Sequence, residues 1–132
     1  MRAAALSVVV VAGLVGLVLL YTPQQAQRGQ KVYGENCAVC HGAQGSGGTV
    51  PDRFGQLAGL RAPALVGATA LGEFKNAGEL LGYVSNQMPL EDPGRLSQDQ
   101  NLAVTVWLLQ ENGVKAGAEP LSPENAAEVP IR

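Results

Sequence analysis

Cys37-Ala38-Val39-Cys40-His41 holds both cysteines and the only histidine of a 132-residue chain. C-x-x-C-H is the pattern through which a c-type haem is attached. Two thiols one helical turn apart can add across the two vinyl groups on one edge of a porphyrin, and the next residue then offers an imidazole to the iron. Three other uses of these residues fit less well. A structural zinc site takes four ligands, usually Cys or His, and no further Cys or His exists here. A thioredoxin-like redox pair opens a helix after a strand, and no strand pattern precedes Cys37. A disulfide would leave His41 without a role. The expectation is one covalent haem c, held by thioether bonds to Cys37 and Cys40, with His41 as proximal iron ligand.

Length suits a single domain. The formal charge is −2 and aromatic residues are 5%, so neither a basic nucleic-acid surface nor an aromatic-rich core is indicated. Nucleic acid and small-molecule substrates are accordingly not expected as partners. Seventeen glycines and eight prolines suit short helices joined by wrapping loops. A haem would supply much of the missing apolar core.

Residues 3–20 form an apolar run whose only polar member is Ser7. At 1.5 Å per residue it spans about 27 Å, close to the bilayer core. Arg2 before it and Tyr21 after it suit an N-in orientation with an interfacial aromatic. The favoured division is a membrane anchor over residues 1–21, a haem domain over 22–113 on the periplasmic (extracytoplasmic) side, and an irregular tail over 114–132. A cleaved signal peptide is the alternative. Its apolar region would be roughly 7–15 residues, and a cut after Ala26 would follow Gln24 and Gln25. Either reading exports the remainder.

Thr22-Pro23-Gln24-Gln25 predicts a helix start with a capping box, the helix running to about Cys37. Residues 43–61, rich in glycine, read as loop, and residues 62–67 as a turn. Asn76 caps a predicted helix from Ala77 to Ser85 with Leu80, Leu81 and Val84 on one face. Ser97-Gln98-Asp99-Gln100 is a second capping box; its helix carries Ala103, Val104, Trp107 and Leu108 and stops at Asn112-Gly113. The tail, with Ser122-Pro123-Glu124 starting one helical turn, is expected on the surface or against a partner.

A single histidine excludes bis-histidine ligation. Met1 lies at the far end of the apolar run, which leaves Met88, just after a helix and before Pro89, as the thioether for the sixth position. Lys75 or an open position are the alternatives, and a plain packing role is the bland one. His41 also needs its other ring nitrogen held, and a backbone carbonyl near Pro63 is a candidate.

These residues resemble the class I monohaem cytochromes c over residues 26–113: Gly29 and Tyr33, the Cys37–His41 box, Pro63-x-Leu65-x-Gly67, Met88-Pro89 and Trp107 occur in the family's order. The resemblance implies an all-α fold wrapped around one haem, with first and last helices crossing near Gly29 and Trp107. It implies that the Pro63 carbonyl accepts from His41 and that Met88 closes the distal side. Tyr83 would pack on the haem or reach a propionate, with an ordinary core tyrosine as the alternative. Residues 87–108 look most like small cytochromes that serve bacterial dehydrogenases and respiratory chains. The chain departs from mitochondrial-type carriers in lacking a lysine-rich front: residues 22–132 hold eight Lys/Arg against eleven Asp/Glu. The expected function is one-electron relay between redox partner proteins, whether a membrane complex, a dehydrogenase or a terminal oxidase. A peroxidase or gas sensor with a labile Met88 is the rival.

Overall fold

The computed structural model describes residues 21–115 and 120–131. Helix α1 (Pro23–Asn36) starts where its capping residues put it: Thr22 accepts from the Gln25 amide at 3.1 Å, and Pro23 fills a position whose N–H would have no helical partner. The expected box is only half made. Gln25 turns its side chain away from Thr22: its Nε2 donates to the buried Leu121 carbonyl at 3.1 Å, and its Oε1 no longer reaches the helix start.

The chain continues from Cys37 into one further helical turn, α2 (Ala38–His41). Residues expected as loop then pair as a short antiparallel ladder. In it β1 (Gly48–Thr49) meets β2 (Arg61–Ala62), with Gly48 opposite Ala62 and Thr49 opposite Arg61. Strands of two residues are too short to show an alternating pattern. Helix α3 (Ala77–Gln87) is capped by Asn76, which accepts from the Glu79 amide at 3.0 Å, and it runs two residues past the expected end. Helix α4 (Gln98–Glu111) has the complete box, Ser97 and Gln100 bonding each other's backbone N–H.

Gly29 marks the crossing of α1 and α4. A Cβ there would collide with the Ala103 carbonyl oxygen and lie 2.7 Å from Trp107 Cβ. One turn on, Tyr33 stacks on Trp107 with ring centroids 4.2 Å apart. Every residue of α4 from Asn101 to Leu109 is buried, so this helix has neighbours all round. The tail packs inward as well, and here the expectation of a surface tail is corrected. Leu121, Ala126 and Val129 are core residues. Ala77 donates to the Val129 carbonyl at 2.8 Å, and Ile131 to that of Lys75 at 3.1 Å. Ser122 starts a helical turn as expected, its Oγ accepting from the Asn125 amide at 3.3 Å and its carbonyl from that of Ala126 at 3.1 Å, and a short helical stretch follows at Ala126–Glu128.

The apolar run of residues 3–20, and the anchor read there, lie outside the described residues. Among the described residues no helix is long and apolar enough to cross a membrane.

Candidate functional site

Cys37 lies at the junction of α1 and α2, and Cys40 and His41 on α2 itself. The His41 ring is buried and its Nδ1 stands 2.9 Å from the Pro63 carbonyl oxygen. A carbonyl only accepts, so Nδ1 carries the proton and Nε2 keeps its lone pair for a ligand. Backbone bonds hold this arrangement. The Tyr33 hydroxyl donates to the Gly42 carbonyl at 2.7 Å, Gly47 donates to that of His41 at 2.8 Å, and the Gly45 carbonyl accepts from Leu65 and Val66 at 2.8 and 3.0 Å. The glycines are what let the loop lie this close. Gly47 has φ +87°, and a Cβ on it would sit 3.0 Å from both the Ala62 oxygen and the Ala64 nitrogen.

Beside these elements lies a cavity of about 230 Å³ that opens to solvent. It is lined by Cys37, Cys40, His41, Pro63 and Met88, and its apolar wall includes Val50, Leu57, Leu65, Val84, Val104 and Leu108. Met88 follows α3 as its C-cap, its N–H bonded to the Val84 carbonyl at 3.2 Å. The two cysteines are not bonded to each other. Burial, with Glu91 adding to it, pushes the Cys37 thiol up to about 11 and raises that of Cys40 as well. A redox-active pair needs the opposite shift, toward thiolate. Among the described residues no group of three or more His, Cys, Asp or Glu side chains is placed to hold a metal ion.

The structure thus brings five of the six expected site residues to one cavity. Tyr83 is the exception and is corrected here: it is 45% exposed, lies outside the cavity lining, and packs its ring against Phe74 at 5.5 Å. On α3 it lies one position from Val84, which takes the inward place, so Tyr83 faces neither the cavity nor the core. Lys75 does not line the cavity either. Three residues at or around the cavity were not read as part of the site. Arg61 and Glu91 line the cavity. Asn112 donates to the Leu65 carbonyl at 2.8 Å and accepts from Gly67 at 3.1 Å, tying the end of α4 to the turn after Pro63. Arg61 could have been found, since residues two apart in an extended segment share a face and Pro63 was already a candidate.

The family model described as cytochrome C oxidase, cbb3-type, subunit III matches residues 24–108. The chain belongs to that family. It is a class I c-type cytochrome with the helical cytochrome c fold. A chain in the crystal structure of the sulfane dehydrogenase SoxCD from Paracoccus pantotrophus is similar to it, with 25% identity and a TM-score of 0.60. The likeness covers 80% of this cytochrome and 52% of that chain, so this cytochrome spans about half the length of its structural relative. No curated protein matches the sequence. A cytochrome c domain implies covalent haem c, and the cavity fits one: two thiols at attachment spacing, an imidazole with a free Nε2, a thioether, apolar walls, and Arg61 as a cation for a carboxylate.

Proposed function

We propose that this cytochrome is an electron-transfer protein with one haem c, ligated by His41 and Met88, and no chemistry of its own beyond the relay. The observation that carries the reading is that imidazole, thioether and both attachment thiols line one apolar cavity. When bound, the haem supplies one-electron chemistry, its iron alternating between ferric and ferrous. The protein's own residues do the rest. Cys37 and Cys40 hold the group covalently. The Pro63 carbonyl keeps the His41 proton on Nδ1, which fixes the ring and strengthens its donor nitrogen. Met88 would offer its thioether to the same iron, and sulfur there would favour the reduced state relative to a second imidazole. Arg61 offers its guanidinium to a propionate. The apolar walls exclude water and so raise the potential further.

The family and the structural neighbour support a place in a redox complex. A subunit of a cbb3-type oxidase or a cytochrome partner of a dehydrogenase would both suit, with the haem domain on the extracytoplasmic side and residues 3–20 as membrane anchor. Two measurements test the reading. Haem should stay with the polypeptide under denaturing electrophoresis; extraction by acid acetone would refute covalent attachment. The reduced protein should not bind carbon monoxide at neutral pH. Ready binding would show an open iron and favour a sensor or peroxidase.

A further inference from the structure

Among the described residues Glu91 is the one carboxylate that lines the cavity proposed for the haem. It follows Met88 by three residues, and its Oε1 is held 3.2 Å from Nη2 of Arg95. Both side chains are about one-third exposed, Glu91 at 31% and Arg95 at 37%. The charges are therefore neither fully screened by water nor free to swing away. Asp92, the adjacent carboxylate, does not line the cavity.

Resting on the proposed haem in this cavity, we infer that Glu91 and Arg95 form an opposed pair that sets the redox potential: Glu91 favours the oxidised form, and Arg95 limits how far. The physical reason is charge. Oxidation leaves one more positive charge on the haem than reduction does. A carboxylate on the wall of an apolar cavity interacts with that charge through a medium of lower dielectric than water. Glu91 shares the cavity wall with the attachment residues Cys37 and Cys40, and Arg95, ion-paired to it at 3.2 Å, offsets part of its charge. The same two signs will act on an electron arriving at the group these sulfurs hold. Of the partners that deliver or accept electrons, one that offers its own basic group to Glu91 would displace Arg95 without changing the sign of the local balance.

Spectroelectrochemical titration of the intact holoprotein at low ionic strength tests this. Glu91→Gln should raise the midpoint potential and Arg95→Gln should lower it. Asp92→Asn, equal in formal charge to the first, should shift it less. Added salt should shrink all three differences, because the pair is partly exposed. Unchanged visible spectra in the variants would show that ligation is intact and the shift electrostatic. A Glu91→Gln midpoint equal to wild type, or shifted no more than that of Asp92→Asn, overturns the inference. Should Glu91→Gln fail to fold, the Arg95→Gln midpoint decides by its sign. Protein that carries no covalent haem overturns the proposed function itself, whereas haem with an unmoved potential overturns the pair alone.

Discussion

Gly29→Ala sets two effects against each other, and the structure decides between them. An alanine in a helix interior is favoured over glycine by about 1 kcal/mol. At Gly29 the new methyl group would meet the Ala103 carbonyl oxygen and stand 2.7 Å from Trp107 Cβ. One obstacle is backbone and the other is the first atom of a side chain, so neither can step aside by changing rotamer. Relief requires α1 and α4 to move apart. Overpacking costs roughly 1–3 kcal/mol when neighbours can adjust, and rigid neighbours put this site at the upper end. Separation also weakens the Tyr33–Trp107 stack one turn away, an interaction of roughly 0.5–1.5 kcal/mol. The clash wins. The net expectation is a loss of about 2–3 kcal/mol, or about 8–12 °C in thermal midpoint at roughly 4 °C per kcal/mol for a domain of this size.

The assay is guanidinium and thermal unfolding of the holoprotein, followed by helical circular dichroism, with Gly34→Ala as control. Gly34 is on the same helix and has open space where its Cβ would be. That substitution should stabilise slightly. A Gly29→Ala protein as stable as wild type would refute the crossing geometry, since the propensity gain alone predicts stabilisation.

Met88→Ala should abolish the weak far-red sulfur-to-iron band of the ferric protein and lower its potential, while Met88→His should lower the potential yet restore six-coordinate iron; absence of the band from the wild type would remove Met88 from the iron. Asn112→Ala should cost about 1–3 kcal/mol, because Asn112 bonds the Leu65 carbonyl and the Gly67 amide across the chain. A denaturation midpoint within error of wild type would show that water replaces those bonds. Tyr33 is pushed up from an ordinary value of 10.0 to about 12, chiefly by burial. The folded state therefore holds the phenolic proton where the unfolded chain has lost it, so this contribution is full below pH 10 and disappears as pH rises toward 12. Stability against pH should flatten over that window in Tyr33→Phe, and an unchanged slope would exonerate Tyr33.

The parts of this molecule legible in the sequence are those set by neighbouring residues. Thr22, Asn76 and Ser97 cap helices through atoms three residues away, and all three starts were read correctly. The attachment box is local in the same sense: thiols and imidazole share one segment, α2 and its cap. What could not be read depends on chain brought from afar. Gln25 has the right type and spacing for a capping box, but Leu121, 96 residues on, takes its amide. The β1–β2 ladder is two residues long and leaves no periodic trace. Tyr83 shows the limit of analogy, because its neighbour Val84 occupies the inward position on α3 and leaves the phenol to solvent.

Helix α4 ties the core to the site. Ala103, Val104, Trp107 and Leu108 were read as a single apolar face, yet they serve two. Ala103 and Trp107 meet α1 at Gly29, whereas Val104 and Leu108 line the haem cavity. Asn101, Leu102, Thr105 and Leu109 complete the circle and are buried too. Leu121, Ala126 and Val129 of the tail join the same core cluster, bonded to α1 through Gln25 and to α3 through Ala77. The same crossing then reaches the site. Tyr33, stacked on Trp107, donates its hydroxyl to the Gly42 carbonyl next to His41. The packing that holds α4 in place therefore also holds α2, and with it the imidazole proposed to meet the iron.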